Sequence, residues 1–213
     1  MFASPGVTKR VGVVADTHCP EFLDRLPEGL FDALAGVEMV LHAGDITALE
    51  TLRDLERIAP VYAVRGDHDS SLADVASTAE LEVAGKRVVV VHGNRNRLIE
   101  EPVTFVGTVS LGHYWPRPGL HRHLKKRFPS ADVVVYGHTH AAANESVEGT
   151  LMFNPGAVYQ VTRDEADRRL RSQPNWFEWS WLQVIRRRRR TLRSSVGILE
   201  FTDDAVKGTI VEL

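Results

Sequence analysis

The chain has 213 residues, a formal net charge of -2, 43% hydrophobic and 25% charged residues, so it can bury a core of its own and shows no overall bias toward nucleic acid or membrane. Its single cysteine, Cys19, excludes an internal disulfide and fits a reducing compartment. No signal-like apolar segment opens the chain and no apolar run is long enough to span a bilayer, so the expected location is cytoplasmic, with no membrane partner.

Five short apolar runs rich in valine, Val11–Ala15, Met39–Ala43, Val61–Arg65, Arg87–Val91 and Asp132–Tyr136, have the length and composition of buried strands. Between the first two, Phe22, Leu23, Leu26, Leu30, Phe31 and Leu34 follow helix-like spacing. After the second, Leu49, Leu52, Leu55 and Ile58 form an i, i+3 stripe that Thr47 is placed to cap. This alternation predicts an α/β sheet with right-handed crossovers, in which ligands gather beyond the carboxyl ends of the strands. At Ala84-Gly85 the order changes: Leu81–Val83 and Arg87–Val91 flank a turn signal and predict a hairpin, which brings in antiparallel pairing. Leu120, Leu124 and Phe128 mark one more short helix, and Gly197–Phe201 and Gly208–Leu213 predict two closing strands around Asp203-Asp204. No internal repeat is visible.

Ligand-type side chains occupy the strand ends. Asp16-Thr17-His18 follows the first run, and in extended backbone residues i and i+2 project to one side, so a carboxylate and an imidazole could grip one ion. Such a triplet is weak alone. The second run, however, ends in His42-Ala43-Gly44-Asp45, the third in Gly66-Asp67-His68-Asp69, the fourth in His92-Gly93 and the fifth in Gly137-His138-Thr139-His140. Neighbouring glycines let the backbone turn sharply and approach an ion or phosphate closely, whereas unrelated core histidines have no reason to prefer strand termini.

The ordered pattern D-x-H, G-D, G-D-H-D, H-G and G-H-T-H, spanning Val11 to His140, resembles that of the calcineurin-like metallophosphoesterases. His42-Ala43-Gly44-Asp45 and the Asn154-Pro155-Gly156 that follows a sixth apolar run are similar to the small bacterial and archaeal phosphodiesterase branch. The resemblance implies an α/β fold of two packed mixed β-sheets flanked by helices, a four-layer αββα sandwich, and the length predicts a single domain over residues 1–213. It implies one metal on Asp16, His18 and His140, another on Asp67, His92 and His138, and Asp45 bridging both. Three carboxylates and four neutral imidazoles suit borderline divalent ions. Manganese is the first expectation for the two sites, with iron, zinc, nickel or cobalt as alternatives, and an all-oxygen calcium site does not fit.

The implied activity is metal-dependent hydrolysis of a phosphodiester or related nucleotide phosphoester by direct attack of a hydroxide held between the ions. No nucleophilic serine or cysteine motif at the strand ends calls for a phospho-enzyme, and Cys19 reads as a packing thiol. The resemblance makes His68 the general acid, with bracing of Asp67 as its alternative role. Asp67 stands where the family usually has asparagine; its extra charge is expected to hold metal more tightly while lowering the Lewis acidity of the pair. His42 is expected behind the ligands, donating to a backbone carbonyl, or else as a plain core histidine. Asp69 is expected to orient His68, and Asn154 and Gly156 to shape the turn beneath the site without a catalytic role. No residue that contacts the substrate can be named. The competing reading is a binding scaffold like the retromer-type relatives of this fold, which typically lose the histidine at the position of His68; a protein phosphatase or nuclease is a third.

Two stretches read as insertions, 94–119 and 159–195. The first could fold over the metals as a lid, with Arg95, Arg97 or Arg117 meeting a phosphate, although a solvated loop is favoured. In the second, Arg186–Arg190 could meet nucleic acid, but a solvated face is again favoured. There too Trp176, Phe177, Trp179 and Trp181 suggest packing or an oligomer contact, and Phe177, Trp179 and Trp181 alternate like one face of a strand. His113, His121 and His123 carry no assigned role.

Overall fold

A computed structural model describes residues 8–93, 119–187 and 192–213. The proposed lid at 94–119 therefore lies, apart from Gly119, outside the described residues, as do His113 and Arg188–Arg190. The described residues separate into two compact units.

The larger unit holds two five-stranded mixed sheets. In the first, β1 (Lys9–Val14), β2 (Met39–His42) and β3 (Val61–Ala63) run parallel, and β9 (Ser195–Phe201) and β10 (Val206–Glu212) extend the β1 edge antiparallel, in the order β10-β9-β1-β2-β3. The second sheet, in the order β4-β5-β6-β8-β7, also has a parallel centre but carries one antiparallel strand on each edge. Its parallel centre is β5 (Lys86–Val91), β6 (Val133–Val135) and β8 (Thr150–Asn154), with antiparallel β4 (Thr78–Val83) and β7 (Ala143–Val147) outside. The hairpin predicted at Ala84-Gly85 joins β4 to β5, and both turn residues have positive φ, 48° and 72°, as a two-residue hairpin turn requires.

Side-chain alternation divides the apolar runs between two cores. Val11, Val13, Ala15, Leu41 and Ala43 face Val88, Val90, Val133, Val135 and Phe153 across the sandwich. Val14 and Val40, one residue out of phase, face away and pack with Leu30, Leu34 and Leu55 of the outer helices. Phe153 of β8 enters a notch in the opposite sheet: a Cβ on either Gly197 or Gly208 would strike its ring.

The helices depart most from expectation. α1 is only Glu28–Ala33, because Phe22 and Leu23 instead donate their N–H groups to His18 O, at 2.8 and 3.2 Å, in a turn before Pro27. α2 spans Leu49–Glu56, but Thr47 does not cap it; Ala48 holds that position without a side-chain bond, and Thr47 has φ 74°. α3 (Leu120–Arg127) buries Leu124 as its spacing predicts. In the smaller unit α4 (Arg163–Leu170) and α5 (Trp176–Arg187) pack through Ala166, Leu182 and Ile185. The strand-like alternation of Phe177, Trp179 and Trp181 is thus overridden by a helix, in which the Glu178 N–H is capped by Asn175 Oδ1 at 2.9 Å. Arg186 pairs with Asp167 at 2.7 Å on an exposed face. No helix among the described residues is long and apolar enough to cross a membrane.

Phe153→Ala is expected to cost about 3–5 kcal/mol, the usual range for a phenylalanine deleted from a core. Gly208→Ala is expected to destabilise the wild type more than it destabilises Phe153→Leu. Urea unfolding of the double-mutant cycle checks this, and additive costs would show that the glycine does not serve the ring.

Candidate active site

Each sequence-predicted ligand lies in a loop leaving the carboxyl end of a parallel strand: Asp16 and His18 after β1, Asp45 after β2, Asp67 after β3, His92 after β5, His138 and His140 after β6. Asp16, His18, Asp45, His138 and His140 all have φ between 46° and 65°. Side-chain-bearing residues hold that region at a cost of about 1–3 kcal/mol each, so the surrounding bonds must over-determine it. Glycine supplies the rest of the bending. A Cβ on Gly44, whose φ is 92°, would lie 2.6 Å from His92 Nδ1, and one on Gly66 would overlap the Asp45 carboxylate.

These loops gather the seven side chains into overlapping groups. Donor atoms of Asp16, His18 and His140 lie within 4.8 Å of one another, as do those of Asp67, His92 and His138; Asp45 groups with His18 and His68 on one side, and with Asp16 and His92 on the other. Its Oδ2 is 3.5 Å from His18 Nε2 and 3.4 Å from His92 Nε2, while Oδ1 accepts the His68 N–H at 3.0 Å. His92 Nδ1 donates to Ala43 O at 2.8 Å, and its buried Nε2 faces carboxylate oxygens of Asp45 and Asp67 at 3.4 and 3.7 Å. Asp67 Oδ2 lies 3.2 Å from His138 Nδ1, and Asp16 accepts the His138 N–H at 3.1 Å.

The supporting residues differ in part from expectation. Asp69 directs its carboxylate to backbone N–H groups instead of to the His68 ring. Buried, it accepts the N–H groups of Ile46, Thr47 and Gly66 at 2.8, 2.7 and 2.7 Å, and so clamps the Asp45 loop to the Asp67 loop. The partner of His68 is Glu21, whose Oε2 is 2.9 Å from His68 Nδ1. Nor does His42 donate to a carbonyl. Its Nδ1 accepts the Gly44 N–H at 3.2 Å, which leaves Nε2 to donate to Thr17 Oγ1 at 3.1 Å. Asn154 donates to Gly137 O and Thr139 Oγ1 at 2.9 and 3.0 Å and accepts from Gly156 N, which fixes the His138–His140 turn. Cys19 is buried among Val14, Leu26 and Leu30, and burial pushes its thiol up, as suits a packing role. His121, in α3, meets the Tyr136 hydroxyl through Nε2 at 2.5 Å. Glu21 and Thr17 are the residues that sequence reasoning missed. The one available signal was a carboxylate three residues beyond a ligand-type histidine.

Residues 10–168 match the family model described as the calcineurin-like phosphoesterase superfamily domain. The chain belongs to that superfamily. A probable metallophosphoesterase of Methanothermobacter thermautotrophicus is 34% identical over 149 residues, which cover 69% of this chain and 76% of that protein. A phosphodiesterase of Methanocaldococcus jannaschii is 25% identical over 69% of this chain and 82% of its own length. Among solved structures, vacuolar protein sorting 29 of Cryptosporidium parvum superposes with a TM-score of 0.63 at 19% identity, covering 97% of this chain and 98% of that one, a likeness of fold. The expected fold of two mixed sheets with flanking helices is therefore that of the phosphoesterase superfamily.

The electrostatics of this phosphoesterase cluster suit a cation. Burial raises the Asp16 carboxyl to about 7, against the pull of His92, and lowers His140 to about 3 and His42 to about 4. Burial also pushes Asp45 up, but His92, the His68 N–H and His18 outweigh it and hold the carboxyl well below the usual range. Burial disfavours charge on His92, but Asp45 and Asp16 outweigh it and raise the imidazole above its ordinary value; a divalent ion among these carboxylates would take the place of that proton, with Nε2 aimed by the Nδ1 bond to Ala43 O. The residues fit the metal ions that the family implies.

Because the folded value for Asp16 is raised from 3.8 to about 7, its neutral form stabilises the metal-free fold below the unfolded value, and that contribution is lost as pH rises through about 7. In chelator-treated protein, the stability of wild type relative to Asp16→Asn should therefore fall between pH 4 and pH 7, and added divalent metal should restore it at pH 7. Thermal melts at several pH values check the sign; a difference independent of pH would contradict it.

Proposed function

We propose that this superfamily member is a hydrolase of phosphodiester or related nucleotide phosphoester bonds that works with two divalent metal ions. In this reading Asp16, His18 and His140 hold one ion, Asp67, His92 and His138 hold the other, and Asp45 reaches both. The observation that carries it is Asp45 Oδ2, placed 3.5 and 3.4 Å from a ligand nitrogen of each group, His18 Nε2 and His92 Nε2. When bound, a pair of divalent ions acidifies water and neutralises phosphoryl oxygens, which is the chemistry phosphoester hydrolysis needs. Manganese is the first candidate, with iron, zinc, nickel or cobalt as alternatives.

The protein's own residues orient the ligands and manage protons. Ala43 O fixes the tautomer of His92, and Asp69 holds the Asp45 and Asp67 loops in register. His68, half-exposed beside the cluster, is the residue we assign to give a proton to the departing oxygen. A full ligand set together with His68 supports the enzyme over a binding scaffold, because a scaffold has no use for the acid. A small soluble phosphoester or nucleotide is the expected substrate; the exposed Arg186, paired to Asp167, supports a solvated face over a nucleic-acid contact.

Purified protein stripped with chelator should be inactive. Returning manganese, iron, zinc, nickel or cobalt should restore turnover of a linear phosphodiester or a cyclic nucleotide, and Asp67→Asn should need more metal for half-maximal activity. Wild-type protein inactive on every ester with every metal would overturn the reading.

A further inference from the structure

We propose that Glu21 is the positioning residue for His68: a single carboxylate that holds the imidazole by Nδ1 and makes Nε2 its working nitrogen. The inference rests on the phosphoesterase reading for its kinetic consequence but not for the contact itself. Both Glu21 oxygens approach His68 Nδ1, Oε2 at 2.9 Å and Oε1 at 3.1 Å, whereas the Asp69 carboxylate accepts three backbone N–H groups. A carboxylate can only accept, so Nδ1 carries the hydrogen and Nε2 is left to exchange a proton with substrate. Free imidazole has no such preference imposed on it.

The same carboxylate touches the metal cluster. Oε2 is 3.4 Å from His18 Nδ1, and the His18 and His68 rings meet edge to face with centroids 4.7 Å apart. Glu21 thus sets the spacing between a proposed ligand, His18, whose Nε2 faces Asp45, and the proposed acid, His68. The geometry comes from the short turn after Cys19, since the Phe22 and Leu23 N–H groups bond back to His18 O and hold position 21 beside that ring. Glu21 and His68 side chains are 37% and 42% exposed, so water screens the pair and it adds little to stability. Its removal should leave a folded protein, and a loss of function can be read cleanly.

The experiment compares wild type, Glu21→Ala, Glu21→Gln, His68→Ala and the double variant Glu21→Ala/His68→Ala. Nitrogen-15 NMR of the metal-free protein, at a pH where His68 is neutral, should show the Nδ1–H tautomer in wild type. Glu21→Ala should shift the balance toward Nε2–H, and Glu21→Gln, whose amide oxygen can still accept, should largely preserve the wild-type pattern. At saturating manganese, with metal content measured for each protein, Glu21→Ala should lose about 10–100-fold in kcat on an ester with a poor leaving group and much less on an activated aryl ester. The double variant should be no slower than His68→Ala, because the two residues act as one unit. Identical His68 tautomers in wild type and Glu21→Ala, equal losses on both esters, or additive losses in the double variant would each overturn the proposal. If wild type turns over neither ester, the phosphoesterase reading fails, and the tautomer comparison alone decides whether Glu21 holds His68.

Discussion

The site depends on one constraint, the placement of the Asp45 carboxylate between side chains delivered by two different sheets. Its backbone is held at φ 57°, which an aspartate does not adopt without help. Asp69 provides that help by taking the N–H groups of the next two residues, and the His68 N–H takes one carboxylate oxygen, leaving Oδ2 to face His18 and His92. Gly44 and Gly66 are the spaces this requires, since a Cβ at either would meet His92 or Asp45 itself.

The sandwich explains why ligands far apart in sequence converge. Each sheet has a parallel centre, β1-β2-β3 in one and β5-β6-β8 in the other, and face-to-face packing through Val11, Val13, Val88 and Val135 brings their carboxyl ends to a shared rim. Four imidazoles and three carboxylates in so small a volume, several of them fully buried, would be costly without a cation or a proton to balance them. Burial raises Asp16 and lowers His140 toward neutrality, whereas Asp45 is held low and His92 is raised so that opposite charges face each other; a divalent ion would balance the carboxylates in another way.

Much of this was legible because it rests on local rules. Parallel strands buried on both faces read as unbroken valine runs, and the ligand motifs sit where those runs stop, so the order of motifs gave the site before any contact was known. The edge strand β7, Ala143–Val147, was missed because it is polar and largely exposed and lacks such a run. The helical spacing of Phe22 to Leu34 misled because Phe22 and Leu23 serve a turn around His18, and the Trp179/Trp181 alternation misled because helix packing through Leu182 and Ile185 decided the matter. The roles of Asp69 and Glu21 were beyond sequence reasoning for a different reason. Which carboxylate reaches His68 depends on the path of two loops, and adjacency in sequence pointed to Asp69 while space chose Glu21.

The central claim is that Asp45 reaches two ions at once. Crystals grown with manganese and measured at its absorption edge test it most directly. The account predicts two anomalous peaks, one against Asp16, His18 and His140, the other against Asp67, His92 and His138, with the Asp45 carboxylate touching both. A single peak, or two peaks of which Asp45 touches only one, would contradict it.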